Sequence, residues 1–183
     1  GMGGHNGGEF ASELAVQSFQ EFVENLPIVS NPDILQEMIK SWVTDAQFMI
    51  KNKGKEMPEL NGMGTTCVGL LFFNGFTTWL NIGDSRLYRF RDGILHQLST
   101  DHSLREREKD PTIPGNIIYN ALGVGNSTFA DTADISSELL VGDKYIVCSD
   151  GLSDMISDDK IEEVINNGGS ALELVNATPV RDK

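Results

Sequence analysis

Two turn dipeptides constrain the fold of this chain more than any other sequence feature. Asn74-Gly75 separates the runs TTCVGLLFF and FTTWLNIG, and Asp92-Gly93 separates RLYRFR from ILHQLS. Asn-Gly and Asp-Gly between such runs are typical of β-hairpins, because both residues tolerate the positive φ of a tight turn. The sequence therefore predicts antiparallel strands here, with further strands at IIYNALG, TFADTADI and KYIVCS. The polar residues 100–115 are predicted to form a long surface loop.

Helical patterns stand on either side of these strands. Apolar residues at spacings of three and four predict helices over about 8–26 and 32–53. Near the other end, Ser157 is expected to cap a helix over 158–166, and residues 170–176 should form another short helix. The order of helices, antiparallel strands and helices is typical of an α+β fold in which helices cover sheets. We expect residues 1–183 to form a single domain.

Composition excludes several classes of partner. The 183 residues include 27 Asp and Glu against 14 Lys and Arg, a net charge of −13. Such a chain is repelled by nucleic-acid backbones and anionic membranes, so we expect it to bind neither. No apolar run approaches the ~20 residues of a spanning helix and no signal peptide is evident, so a cytoplasmic location is expected. Cys67 and Cys148 lie within strand-like runs and are predicted to be small buried side chains.

Two carboxylates follow directly on predicted strands. Asp84 comes after FTTWLNI and Asp150 after KYIVC, each beside a glycine. Asp154 would face the same space if a helical turn begins at Asp150. Carboxylates without a His or Cys cluster suit a hard cation such as Mg²⁺ or Mn²⁺, although each aspartate alone could simply cap a turn. A shared ion would place the carboxyl groups of Asp84 and Asp150 within about 8 Å of each other.

Five short motifs occur in an order that characterises one protein family. They are GMGGHNGGE at 1–9, GMGTT at 62–66, GDSR at 83–86, DHS at 101–103 and SDGL at 149–152. Together they resemble the metal-dependent serine/threonine protein phosphatases of the PPM, or type 2C, family in its bacterial form. The resemblance implies two stacked antiparallel sheets flanked by helix pairs, an α-β-β-α sandwich, with metals in a cleft at one edge.

The resemblance also implies a reaction and a site. Two Mn²⁺ or Mg²⁺ ions, or three, would activate a water that attacks the phosphorus of phosphoserine or phosphothreonine in a phosphoprotein. The metal ligands would be the backbone carbonyl of Gly1 and the carboxylates of Asp84, Asp150, Asp154 and Asp182. Among these, Asp150 would be a ligand of the core metal pair, and Asp84, together with Asp150 and Asp154, would hold the third ion. His5 would be placed to act on protons.

The resemblance is incomplete at both ends of the sequence. The family motif has an Asp immediately before Gly1 that bridges two metals, and Asp182 is normally followed by a closing strand. We therefore expect a truncated domain whose exposed strand edges favour self-association. The missing carboxylate keeps a second hypothesis open, in which the chain is a non-catalytic phosphatase-like binding or regulatory module.

The lack of a bridging carboxylate predicts weak activity for these 183 residues alone. One loosely held ion cannot clamp both the attacking and the leaving oxygen, as a metal pair does. We expect slower Mn²⁺-dependent hydrolysis of p-nitrophenyl phosphate and a phosphothreonine peptide than in a chain extended upstream through the Asp. Equal rates in both chains, abolished in each by Asp150→Asn, would show that the carboxylate is dispensable.

Overall fold

Two long helices open the chain. The structure, a computed structural model, describes residue 2 and residues 4–179, without the side chains of 4–6. Helix α1 spans Gly4–Glu24, so it begins four residues before and ends two residues before the predicted bounds, and α2 spans Pro32–Glu56, three residues past its predicted end. The start of α2 is as predicted, because the Asn31 side chain accepts a hydrogen bond from the Ile34 backbone N–H at 3.0 Å. Within the described residues, no helix is long and apolar enough to cross a bilayer.

Two antiparallel sheets of three strands follow these helices. Their orders are β1-β2-β5 and β4-β3-β6, and β1 also contacts β3 and β6 of the other sheet. The strands are β1 Cys67–Phe73, β2 Phe76–Ile82, β3 Arg86–Arg91, β4 Ile94–Gln97, β5 Asp131–Asp134 and β6 Lys144–Cys148. The predicted α+β fold with two antiparallel sheets is confirmed.

Both predicted hairpin turns are present. Asn74 and Gly75 have φ of 49° and 82°, and they join β1 to β2 with Phe73 opposite Phe76. Asp92 and Gly93, with φ of 51° and 84°, join β3 to β4 in the same way. Positive φ at both central residues is what a two-residue hairpin requires, so the turn chemistry sets the register of each strand pair.

The segment between β4 and β5 differs from the prediction. Helix α3 (Leu104–Glu108) interrupts the expected surface loop at 100–115, and His102 just before it is buried. The run IIYNALG forms no strand and makes only isolated bridges, Ser103 to Ile118 and Thr65 to Leu122. Its apolar pattern was misleading because the backbone of the segment pairs first with residues 102–104 and then with Thr65, so no continuous strand ladder forms. Between these pairings, the Asn120 side chain bonds to His102 and to the Phe129 carbonyl.

Three short helices complete the chain. They are α4 Asp150–Ser153, α5 Asp158–Asn166 and α6 Ala171–Ala177. The Ser157 side chain accepts from the Lys160 backbone N–H, so the predicted Ser157 cap is confirmed. Ser170 and Glu173 form a reciprocal capping box at the start of α6, which was not predicted from the sequence. Ile161, Ile165 and Leu174 pack with Phe90 in a small core beside the second sheet.

The main core lies between the first two helices and the first sheet. Trp42 of α2 is 4% exposed, and its ring meets Phe19 of α1 edge-on with centroids 4.7 Å apart. Its indole N–H donates to Ser18 Oγ at 3.1 Å. Leu35 is also buried, and the remaining residues predicted for this face pack partly buried against it: Phe10, Leu14, Phe22 and Met49. The predicted packing of the helix pair is confirmed.

Replacement of Trp42 by Ala should lower the free energy of unfolding by about 3–5 kcal/mol, because it empties the contact between α1 and α2. Phe48→Ala on the same helix is the matched control, since Phe48 is 68% exposed and its loss should cost less than about 0.5 kcal/mol. Urea denaturation followed by circular dichroism measures both. A loss below about 1 kcal/mol for Trp42→Ala would contradict the core assignment.

Candidate metal centre

Asp84 lies on the short turn that connects the two sheets. Strand β2 ends at Ile82 in the first sheet and β3 begins at Arg86 in the second. Gly83 has a φ of +106°, and a Cβ at this position would lie 2.4 Å from Thr66 Cγ2, so only glycine fits. The hydroxyls of Ser85 and Thr66 are 2.8 Å apart. Half-buried Asp84 is therefore held between two fixed neighbours.

Asp150 and Asp154 reach the same region from the second sheet. Strand β6 pairs with β3 so that Cys148 lies opposite Arg86, which brings the residues after Cys148 towards the Asp84 turn. Helix α4 begins at Asp150, and the Asp154 backbone N–H donates to the Asp150 carbonyl at 2.9 Å. The helical turn expected from the spacing of these two aspartates is present.

The charges of these aspartates interact. Burial raises the pKa of Asp84 above its ordinary value, and the negative charge of Asp150 raises it further. Asp101 and Asp154 add smaller effects in the same direction, whereas a backbone hydrogen bond lowers it. A half-buried carboxylate beside other negative charges costs free energy in its ionised form, and a bound cation would offset that cost.

The neighbouring guanidinium is already engaged. Arg86 Nε donates to Asp101 Oδ1 at 2.9 Å, Nη2 donates to Oδ2 at 2.7 Å, and Nη1 donates to the Tyr88 hydroxyl at 3.0 Å. In residue 2 and residues 4–179, no Lys, Arg or His forms an ion pair with Asp84, Asp150 or Asp154. Their negative charge is thus left without a counter-charge from the described part of the protein.

The donor set fits a hard cation but is not complete. Asp84, Asp150 and Asp154 offer only oxygen atoms, the ligands that Mg²⁺ and Mn²⁺ prefer. Across the described residues, however, no three His, Cys, Asp or Glu side chains are arranged to hold an ion. Three of the predicted site groups lie outside the described structure: Gly1, Asp182 and the side chain of His5.

The two glycine motifs nearest the N-terminus meet beside the aspartates. The backbones of Met2 and Gly64 exchange hydrogen bonds of 2.6 and 3.1 Å. A Cβ on Gly64 would lie 2.4 Å from Val124 Cγ2, so glycine permits the close approach of the segment that carries Val124. Two residues further on, the Thr66 hydroxyl contacts that of Ser85, which connects these glycine motifs to the Asp84 turn.

The predicted cysteine environment is only partly correct. Both Cys67 and Cys148 are free thiols and are half-buried rather than fully buried. Burial raises the pKa of Cys67 to about 12 and that of Cys148 to about 11. Both therefore stay protonated at neutral pH, as expected of packing residues and not of nucleophiles or metal ligands.

Sequence reasoning missed the polar residues that support the site. His102 is buried and contacts Gly83, Asn120 and Asp131 through its two ring nitrogens. The DHS motif marked His102 in the sequence but gave it no role. Asn120 and Asp131 carried no signal, because their contacts depend on a segment whose structure the apolar pattern misrepresented.

The fold and this cluster together define an α+β domain with aspartates gathered where its two sheets meet. A sequence model of the family described as "Protein phosphatase 2C" matches residues 1–175. The chain therefore belongs to the protein phosphatase 2C family, and the resemblance found in its motifs is confirmed.

Relatives of similar sequence are bacterial phosphatases. Serine/threonine phosphatase stp of Listeria monocytogenes is 29% identical over 177 residues, which cover 91% of this chain and 69% of that protein. Protein phosphatase PhpP of Streptococcus pneumoniae is 30% identical, with 91% and 70% covered. Serine/threonine protein phosphatase PstP of Mycobacterium tuberculosis is 32% identical over 90% of this chain and 33% of its own length.

Solved structures show the same fold. The catalytic domain of PstP in complex with two manganese ions has a TM-score of 0.76 and 31% identity, covering 96% of this chain and 76% of that one. A Streptococcus agalactiae serine/threonine phosphatase has a TM-score of 0.81 and 26% identity, covering 96% and 76%. The predicted sandwich fold and the predicted class, a metal-dependent serine/threonine protein phosphatase, are confirmed.

Asp84→Asn should make the metal-free chain more stable at neutral pH, because it removes a half-buried charge that Asp150 repels. A carboxyl whose pKa is raised on folding opposes folding when ionised. The gain should therefore be full above the folded-state pKa of Asp84 and vanish below its ordinary value of 3.8. Denaturation in EDTA, from below pH 3.8 to neutral pH, measures this gain in stability. The exposed Asp45→Asn on α2 is the control. A variant less stable than the wild type at pH 7 would contradict the clustering.

Proposed function

We propose that this chain hydrolyses phosphoserine and phosphothreonine in proteins with the help of divalent cations held in part by Asp84, Asp150 and Asp154. The observation that carries the proposal is the meeting of these aspartates from two sheets without an Arg or Lys partner in the described residues. A protein rarely keeps such repulsion unless a cation binds there. Membership of the protein phosphatase 2C family supports the same reading.

Each aspartate has a part in this proposal that follows from its position. Asp84 is half-buried and fixed by its turn, so it would orient the bound ion, whereas the exposed Asp150 and Asp154 leave one side open to water and substrate. Bound Mn²⁺ or Mg²⁺ would lower the pKa of a water and polarise the phosphoryl group. The chain itself supplies the negative charge and the rigid spacing that this chemistry needs.

We propose two Mn²⁺ or Mg²⁺ ions at this centre, with Asp150 a ligand of the pair, and a third ion to which Asp84, Asp150 and Asp154 would contribute part of the ligand set. The two manganese ions in the PstP structure support the first number, and the acidic cluster supports the further ion. The Gly1 carbonyl and Asp182 would supply additional oxygens to the pair, and His5 would transfer a proton. These last three roles rest on the motif positions alone.

The partners, location and self-association of the protein are proposals as well. The named phosphatase relatives support phosphoprotein substrates. A net charge of −13 disfavours nucleic acids and anionic membranes as partners, and we propose a cytoplasmic location. Strand β6 ends the second sheet, and its Val147 is half exposed, so self-association through this edge is proposed as well. All three relatives compared above are named phosphatases, which favours the enzyme over a non-catalytic module.

Asp150→Asn should lower both Mn²⁺ affinity and Mn²⁺-dependent hydrolysis of a phosphothreonine peptide by more than about 100-fold, beyond the loss typical for an outer partner of a ligand. Isothermal titration with MnCl₂ and phosphate release measure the two effects. Asp45→Asn, an exposed aspartate on α2, should change neither. Unchanged Mn²⁺ affinity in Asp150→Asn would refute the metal assignment, and tight Mn²⁺ binding without any turnover would favour the binding module.

A further inference from the structure

His102 lies buried between the turn that carries Asp84 and the segment that follows α3. It is 1% exposed, and its ring packs against those of Tyr119 and Phe129, with centroids 5.8 and 4.9 Å away. A polar ring at such a position must find hydrogen-bond partners for both of its nitrogens. The partners it finds connect it directly to the metal centre.

Both backbone polar groups of Gly83 are bonded to His102. The Gly83 N–H donates to His102 Nδ1 at 3.0 Å, and the His102 backbone N–H donates to the Gly83 carbonyl at 2.9 Å. Gly83 has the left-handed φ of +106°, which leaves its peptide free to adopt other orientations if nothing holds it. The two bonds thus fix the direction in which the chain enters Asp84.

The other partners of the imidazole select one tautomer. The Asn120 side-chain amide also donates to Nδ1, at 2.7 Å, so Nδ1 must accept and carries no proton. The orientation of Asn120 is fixed in turn, because its Oδ1 accepts from the Thr128 hydroxyl and its Nδ2 donates to the Phe129 carbonyl. Nε2 lies 3.1 Å from Asp131 Oδ2, so the single proton is on Nε2.

We infer that His102 is a positioning residue for the metal centre. Through Gly83 it fixes the backbone of Asp84 so that the carboxylate stays beside Asp150, and Asp131 holds the imidazole in the tautomer that this requires. The inference rests on the proposed function, because it needs Asp84 to be a metal ligand. His102 acts through a backbone amide, and not by touching the ion or the phosphoryl group.

Two substitutions separate the roles of the two ring nitrogens. His102→Asn places an amide oxygen near the position of Nδ1 and keeps an acceptor for the Gly83 N–H, whereas His102→Gln places its amide near Nε2 and loses that acceptor. Isothermal titration with MnCl₂ should show near wild-type affinity for His102→Asn. For His102→Gln the affinity should fall by about 10- to 100-fold, as for other outer partners of metal ligands.

The same geometry can be tested by NMR in the absence of metal, without measuring enzymatic activity. In NMR spectra of the protein in EDTA, hydrogen exchange at the Gly83 amide should be slow in the wild type and in His102→Asn but fast in His102→Gln. The nitrogen chemical shifts of the wild-type His102 imidazole should show that its proton is on Nε2. Asp131→Ala changes a half-exposed residue at the start of β5, so it should fold, and it should mix the tautomers and weaken Mn²⁺ binding.

Three outcomes would overturn the inference. Equal Gly83 exchange and equal Mn²⁺ affinity in His102→Asn and His102→Gln, at similar thermal stability, would make His102 a structural residue only. A wild-type proton on Nδ1 would exclude the hydrogen-bond scheme. Unchanged Mn²⁺ affinity in Asp84→Asn would instead remove Asp84 from the metal site and so refute the proposed ligand set, whatever the exchange rates show.

Discussion

The burial of the Asp84 carboxylate beside the negative charge of Asp150 is the constraint on which the candidate metal centre depends. The two residues follow strands of different sheets, and the partial burial of Asp84 strengthens their repulsion above its value in water. A free turn would relieve it by swinging Asp84 towards solvent. The turn is not free, because Thr66 contacts Gly83 on one side and His102 binds its peptide groups on the other.

A satisfied polar network supports the same region from the second sheet. Arg86 binds Asp101 through two nitrogens and the Tyr88 hydroxyl through a third, and that hydroxyl donates to Asp158 at 2.8 Å. One guanidinium thereby connects β3, the segment after β4 and the first turn of α5. Networks with every partner in place are rigid. Because Arg86 is adjacent to the Asp84 turn and opposite Cys148, this rigidity reaches both sides of the metal centre.

Local rules predicted those parts of the fold that local interactions determine. The Asn74-Gly75 turn and the Ser157 cap are set by a few neighbouring residues, so their positions could be read directly from the sequence. The run IIYNALG could not, because its backbone pairs with residues 102–104 and with Thr65, which are distant in sequence, so no continuous strand ladder forms. The same reason applies to the site. Asp84 and Asp150 were proposed from strand ends and Asp154 from its spacing in a helical turn, whereas the contacts of His102 and Asp131 needed the tertiary structure.

A second carboxylate, that of Asp143, is fully neutralised by an arginine and shows what Asp84 lacks. In the second sheet, Arg91 Nε and Nη2 each donate to Asp143 at 2.7 Å, which holds the pKa of Asp143 well below its usual range. The environment of Asp84 has the opposite effect, because it raises the pKa of this carboxyl. Arg86, two residues away, donates its hydrogen bonds to Asp101 instead. Asp143 thus has a matched ion pair, whereas the half-buried Asp84 has none among the described residues. The missing partner lowers the free energy of unfolding in this region. A cation bound here, as proposed, would recover that loss, and metal binding would then be thermodynamically linked to the stability of this region.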